Sequence, residues 1–139
     1  MTSVRILVGK QKRVVFVDQE VSVRDAAKAM AQSNVGCTAV MEGGRLAGLF
    51  TERDVLKRVL LQDLDVDAVL VRDVMTTEII TTKGDTDIRL ARILMREHHI
   101  RHLPVLDDSD GSLIGVLSIR DLVLEEIAEV QKYLHLEES

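Results

Sequence analysis

Aromatic residues are nearly absent: two Phe, one Tyr and no Trp make up 2% of the 139 residues. A core must therefore be aliphatic, drawn from Val, Leu, Ile, Ala and five Met. Cysteine is limited to Cys37, which excludes an internal disulfide and leaves no Cys set to hold a metal. No run approaches the roughly 18 apolar residues of a membrane span. Residues 1–10 hold no apolar stretch of the signal-peptide kind, so a reducing cytoplasmic location and no membrane contact are expected. A basic excess is missing too. The 18 basic and 23 acidic residues give a net charge of −5, which argues against nonspecific nucleic-acid binding. With 46% hydrophobic and 29% charged residues, the composition is that of an ordinary globular protein.

What is present is a repeat. Gly48-Leu49-Phe50-Thr51-Glu52-Arg53-Asp54-Val55 returns as Gly115-Val116-Leu117-Ser118-Ile119-Arg120-Asp121-Leu122, an offset of 121 − 54 = 67. Upstream, Met30 matches Met95 and Val40 matches Val105 at an offset of 65. The two extra residues fall in a turn, where Asp107 to Gly111 is longer than Glu42-Gly43-Gly44. Turns are where insertions are tolerated. The repeats divide at residues 1–64 and 65–139.

Each copy carries the same pattern. The β-branched run Val14–Val17 predicts a strand, matched by Glu78–Thr82. Ser22, with Asp25 three residues on, predicts a capped helix whose apolar face holds Val23, Ala26, Ala27 and Met30; Asp87 starts its counterpart, with Ile88, Ala91 and Met95. Hairpins follow at 37–41/46–50 and at 103–106/113–117. The lone proline, Pro104, predicts an edge strand or a strand start. Closing helices are expected at 52–61 and 120–134. The second bears Val123, Ile127, Val130 and Leu134 at helical spacing, a stripe that serves as core or as a partner contact. Asp63–Asp67 forms a polar connector. Copies of about 65 residues bury too little apolar surface to be comfortable alone. The pattern predicts an α+β fold in which two β-α-β-β-α units share one core, with clefts where small ligands settle.

The doubled signature is Gly-apolar-x-Thr/Ser-x-Arg-Asp-apolar, leaving a strand and entering a helix. Gly48 and Gly115 admit a close backbone or a flat ligand. Thr51 and Ser118 stand at a helix start, where free N–H groups and the dipole favour an anion. Asp54 and Asp121 offer two oxygens, enough to accept both hydrogens of a ribose diol. Arg53 and Arg120 have the reach for a phosphate. The plainer account is that Thr51-x-x-Asp54 and Ser118-x-x-Asp121 are helix capping boxes. For one copy alone capping is the more economical account. Capping needs neither the Arg nor the Gly, and their recurrence moves the balance toward a ligand.

These two motifs, each behind a hairpin, resemble the CBS domain, and the chain resembles a tandem CBS pair, or Bateman module, from about Arg13 to Ala128. The resemblance implies two CBS repeats about a pseudo-twofold axis. It also implies clefts for AMP, ADP, ATP or a related adenosyl compound such as NAD or S-adenosylmethionine, and a regulatory role without catalysis. By the same resemblance the first cleft combines Thr51, Arg53 and Asp54 with Ile79, Ile80, Ile100, Arg101 and His102, and Arg72 resembles a further phosphate contact. The second combines Ser118, Arg120 and Asp121 with Val15, Gly36, Cys37 and Thr38. Where the first has Arg101 and His102, the second has Gly36 and Cys37 (101 − 65 and 102 − 65). The first is therefore expected to be the nucleotide site. The second is expected to bind weakly, to take an uncharged adenosyl group or to stay empty. Family members pair through their helices, so a homodimer is expected. An alternative is an interaction module with vestigial clefts.

Other candidates point elsewhere. His98, His99 and His102 cluster near a helix end, where imidazoles more often meet the last carbonyls than a metal. An isolated Cys such as Cys37 is usually a small buried hydrophobe. No nucleophile elbow or phosphate-binding loop supports turnover, and the Asp107–Asp110 run is too short for an EF-hand. The length leaves no room for an appended effector domain, so the output is expected to pass to an unknown separate protein.

Overall fold

The computed structural model describes residues 2–11 and 14–138; Arg13, where the family resemblance begins, and the chain ends Met1 and Ser139 lie outside the described residues. The chain forms two compact units. The first comprises residues 13–80 and 110–113, the second residues 1–12, 81–109 and 114–139. A repeat is counted along the sequence and a unit by packing, and the two need not coincide.

In the first unit, β1 (Phe16–Asp18) leads into α2 (Val23–Gln32), β2 (Cys37–Glu42) and β3 (Arg45–Thr51), giving a three-stranded sheet in the order β1-β2-β3. β1 and β2 are parallel, with Val17 opposite Val40, and β2 and β3 form an antiparallel hairpin with Cys37 opposite Thr51. The predicted strand at 14–17 is thus displaced: Val15 precedes the strand, and its carbonyl accepts from Ala39 N–H (3.1 Å). Ser22 Oγ accepts from Asp25 N–H (3.1 Å) and caps α2. The face that Val23, Ala26 and Met30 turn inward meets Val40, Phe50, Val59, Val71, Val74 and Met75 in the unit's core. Phe50 is the only aromatic there; the rest is aliphatic or Met, as the composition requires.

The predicted helix at 52–61 is not uniform. One α-turn, α3 (Glu52–Asp54), opens into a π-helical stretch, Val55–Leu60. Leu61 N–H reaches back to Leu56 O (3.0 Å), the wider spacing of that helix type.

The second unit repeats the plan: β4 (Thr82–Lys83), α4 (Ile88–Glu97), β5 (His102–Leu106), β6 (Leu113–Ser118) and α5 (Ile119–Glu138), with sheet order β4-β5-β6. Two expectations fail here. Pro104 is buried inside the central strand β5, not at an edge. The sheet accommodates it because β4 pairs only with Val105 and Leu106, past the proline. In the first copy the same position is Ala39, whose N–H extends the pairing by one bond. Proline has no N–H to give, so β4 lacks the residue that would match Phe16 (16 + 65 = 81), and the strand expected at 78–82 is found at 82–83. The helix expected at 120–134 runs instead over 119–138.

The sequence pattern gave no sign of α1 (Val4–Gly9), a short helix at the start of the chain. Its hydrogen bonds show what it is. In the second unit Val4 N–H donates to Thr86 O (2.8 Å), Arg5 N–H to Gly84 O (3.0 Å) and Ile88 N–H to Thr2 O (3.0 Å). In the first unit Val71 N–H donates to Val21 O (2.9 Å), Arg72 N–H to Gln19 O (3.2 Å) and Val23 N–H to Val69 O (3.0 Å). The donors and acceptors correspond pair by pair at offsets of 67 and 65. Residues 2–5 are therefore the counterpart of 69–72, and the structural repeat begins earlier than its sequence motif. Val4, Leu7 and Val8 are buried, as are Val71, Val74 and Met75.

Candidate functional site

In the first unit, β3 ends at Thr51 and its hydroxyl oxygen accepts from Asp54 N–H (3.2 Å). Asp54 Oδ2 in turn accepts from Thr51 N–H (3.0 Å), closing a reciprocal box. Two neighbours outside the motif complete the arrangement. Thr76 Oγ1 donates to Asp54 Oδ1 (3.0 Å), and the Arg58 guanidinium lies 3.5 Å from the same oxygen. Arg58 also donates to Met75 O (3.1 Å), which ties the π-helical stretch to the segment carrying Thr76. Asp54 is only 5% exposed, and hydrogen-bond donors surround its carboxyl group.

The second unit builds the same box. Ser118 N–H donates to Asp121 Oδ2 (2.9 Å) and Asp121 N–H to Ser118 Oγ (3.1 Å). Gln11 stands in for Thr76: its amide donates to Val116 O (2.8 Å) and approaches Asp121 Oδ2 (3.5 Å). Asp121 is half-buried. Thr76, Arg58 and Gln11 were missed in the sequence. Of these only Arg58 carries a local signal, since it lies four residues after Asp54 on the same helical segment.

The two glycines of the signature sit where the resemblance implies close approach. A Cβ on Gly48 would lie 2.6 Å from Thr76 O and 2.8 Å from Met75 Sδ. On Gly115 it would lie 2.7 Å from Val8 Cβ. What approaches each glycine in this structure is thus the chain itself.

Of the remaining candidates, Arg53, Arg72 and Arg120 lie in helical segments, and the others fall at strand starts or in the segments before the strands. In the first unit Arg53 is exposed and Ile79 and Ile80 are half-buried in the irregular stretch after Thr76. Arg72 is ion-paired to Glu20. Val15 is half-buried, while Cys37 and Thr38 are buried, Thr38 Oγ1 donating to Ala39 O (3.2 Å). Burial pushes the Cys37 thiol up to about 12, and the Asp54 charge adds to the shift. In the second unit Ile100 and His102 are half-buried, and Arg101 and Arg120 are exposed. Arg5, the counterpart of Arg72, is ion-paired to Asp108 (3.2 Å) and Asp107 (3.6 Å).

Position by position, one further pair differs. Glu52 N–H donates to Gly36 O (3.0 Å), and Ile119 N–H donates to Arg101 O (2.9 Å). The backbone contact is the same in both copies and the side chains are not. Among the described residues no group of three or more His, Cys, Asp or Glu is placed to hold a metal ion, and no helix is long and apolar enough to cross a membrane. An apolar depression lined by Val23, Ala27, Ala31, Val55, Val59 and Val66 includes none of the candidate residues.

Comparison with known proteins agrees with this geometry. The CBS domain family model matches residues 10–61 and again 71–127. The chain is 33% identical over 128 residues to the CBS domain-containing protein YhcV of Bacillus subtilis, covering 92% of this chain and 88% of that one. It is 38% identical over 118 residues to the mitochondrial CBS domain-containing protein CBSX3 of Arabidopsis thaliana, covering 81% of this chain but only 56% of that protein's length. Among solved structures, a CBS domain protein from Pyrobaculum aerophilum complexed with AMP superposes with a TM-score of 0.78 at 28% identity, covering 89% of this chain and 97% of the other.

Proposed function

The chain belongs to the CBS domain family, as a tandem pair of CBS repeats, and from that premise we propose that it is a regulatory module that binds an adenine nucleotide and transforms nothing. The observation that carries this reading is the doubled box. Both copies fix an aspartate at a helix start with the same reciprocal hydrogen bonds, in a family one of whose solved members holds AMP. A buried carboxylate held by donors is already oriented, so accepting a ribose diol costs it little rearrangement. The cleft formed with Thr51, Arg53, Asp54, Arg72, Ile79, Ile80, Ile100, Arg101 and His102 takes the phosphorylated ligand, AMP, ADP or ATP, because it has the cations. The cleft formed with Val15, Gly36, Cys37, Thr38, Ser118, Arg120 and Asp121 keeps Arg120 but has Gly36 and Cys37 where the first has Arg101 and His102, so it largely lacks them. The protein acts in the cytoplasm as a homodimer and passes its signal to a separate protein.

Calorimetry with AMP and adenosine tests the assignment. Arg101→Ala is expected to weaken AMP by roughly 10- to 150-fold, the worth of a charge-assisted hydrogen bond, and adenosine hardly at all. Equal weakening of both would remove Arg101 from the phosphate. A second reading, an interaction module with vestigial clefts, is favoured by one observation: the caps and Thr76 already engage both oxygens of Asp54. Absence of any adenosyl binding would establish that reading.

The dimer rests on α5. Val123, Ile127, Val130 and Leu134 are each about half exposed, and they alternate at four- and three-residue spacing. Ile127→Lys is expected to give a 15.5 kDa monomer in sedimentation where the unaltered chain gives a dimer.

A further inference from the structure

The closing helices of the two repeats start alike and then fall out of step. Each leaves an aspartate box, and the boxes correspond at the offset of 67. At that offset Arg58 matches Glu125 (58 + 67 = 125) and Val59 matches Glu126 (59 + 67 = 126). Their burial does not match. The Arg58 side chain is 53% exposed and Val59 is buried, whereas the Glu125 side chain is 17% exposed and that of Glu126 53%. The inward seat has moved one residue along, so Val59 corresponds in place to Glu125, an offset of 125 − 59 = 66. The partners agree. Val59 shares an apolar cluster with Met75, and Glu125 is paired with Lys10 (3.4 Å), the counterpart of Met75 (10 + 65 = 75).

The first copy thus carries one residue more between two fixed ends. The box of Thr51 and Asp54 holds the start. At the far end Asp63 takes the left-handed conformation (φ 54°), its N–H donates to Leu60 O (3.2 Å), Leu64 N–H donates to Val59 O (3.2 Å), and Leu64 packs on the core. An extra residue between fixed ends widens the helical spacing locally, and Val55–Leu60 is π-helical where α5 is regular. In an α register Arg58 would take the inward seat. Outside it, the guanidinium reaches Asp54 Oδ1 (3.5 Å) and Met75 O (3.1 Å).

We propose that the π-helical stretch is a one-residue insertion in the first repeat, a device that seats Val59 in the interior and leaves Arg58 outside as a clamp between the Asp54 box and the Met75–Thr76 segment. The insertion and the clamp lie within one unit, and neither depends on a nucleotide. The clamp makes the orientation of the Asp54 carboxyl group answer to the register of the helix that follows it.

Two deletions in the full chain separate this from an ordinary helix irregularity. Both remove an exposed residue of the stretch, and both should leave a regular α-helix. Without Lys57, Leu56 is the fourth residue before Leu61, so the bond from Leu61 N–H to Leu56 O becomes an α-helical one while Val59, Leu64 and Arg58 keep their places. The urea midpoint is expected to stay within about a tenth of that of the unaltered chain. Without Leu60, Arg58 is forced into the inward seat and Val59 out of it, and the midpoint should fall by at least about a third. Arg58→Leu, destabilising or neutral in the unaltered chain, should restore most of that loss. Amide exchange reads the clamp itself. Thr51 N–H, which donates to Asp54, should exchange about threefold faster in Arg58→Ala, the scale of one exposed charge pair. Ser118 N–H should not change. Loss of Lys57 as damaging as loss of Leu60 would overturn the insertion. Unaltered Thr51 exchange in Arg58→Ala would overturn the clamp.

Discussion

Asp54 and Asp121 stand on the same turn of the same repeat, yet their surroundings differ in kind. Asp54 is buried and receives Thr51, Thr76 and Arg58; Asp121 is half-buried and receives Ser118, with Gln11 farther off. Four residues after each aspartate the charges oppose: Arg58 in the first copy, Glu125 in the second. At the hairpin entrance the first copy has Gly36 and Cys37 where the second has Arg101 and His102. The comparison teaches that the duplicated backbone is held by hydrogen bonds the copies share, while the side chains around the two aspartates and at the two hairpin entrances differ.

The largest expected contrast lies at Cys37 and its counterpart His102. With the thiol near 12 against an ordinary 9.0, the thiolate fraction at pH 8 falls about a thousandfold. Alkylation of the folded protein by iodoacetamide should run at least about a hundredfold slower than that of the urea-unfolded chain. The shift is upward, so stability is full below 9.0 and declines as pH rises toward about 12, where the unfolded thiol ionises and the folded one does not. Cys37→Ala should remove that part of the alkaline loss. Rapid alkylation of native protein would mean the strand opens readily and the two hairpin entrances are less different than described.

The aspartates come next. Asp54→Asn removes a buried charge from several donors and should cost about 1.5–3 kcal/mol in urea unfolding. Asp121→Asn, with fewer donors and more solvent, should cost about 1 kcal/mol or less. Equal costs would show that Thr76 and Arg58 add nothing beyond the cap.

The glycines sharpen the comparison further and include the smallest effect. Gly48→Ala drives a methyl against the Thr76 carbonyl and should cost about 1–3 kcal/mol. Gly115→Ala meets the Val8 side chain and should fall in the lower half of that range. Gly36→Ala meets only a movable carboxylate and should stay within about 0.5 kcal/mol. A large loss at Gly36 would mean Glu52 is held in place.

Much of this was legible in the sequence because it is local. The Ser22 cap, the hairpin turns and the Thr51-x-x-Asp54 box are set by residues three or four apart, and each forms as expected. The α+β plan followed from the 65- and 67-residue offsets. What escaped depends on distant partners. Thr2-Ser3-Val4-Arg5 and Val69-Leu70-Val71-Arg72 share only Val-Arg, so their equivalence appears only in their hydrogen bonds. The strand at 82–83 is short because of a proline some twenty residues away. The π-helical stretch has no compositional mark; Val55–Leu60 looks like any amphipathic turn. Thr76 and Gln11 belong to segments with no pattern, and they matter only because of the aspartates they meet.

The placement of α1 bears on how such a chain arose. By hydrogen-bond correspondence residues 2–5 open the first repeat, yet they pack in the unit that holds the second, while residues 69–72 open the second and pack in the unit that holds the first. A solitary ancestral repeat built this way has a leading strap with no seat on its own body. Two separate copies satisfy each other by trading straps, which is a domain-swapped pair. Fusion of the two genes would then preserve a bargain already struck between molecules. Excising either half today returns a body with its seat empty and a strap with nothing to bind, and coexpressing the halves as separate polypeptides should restore both.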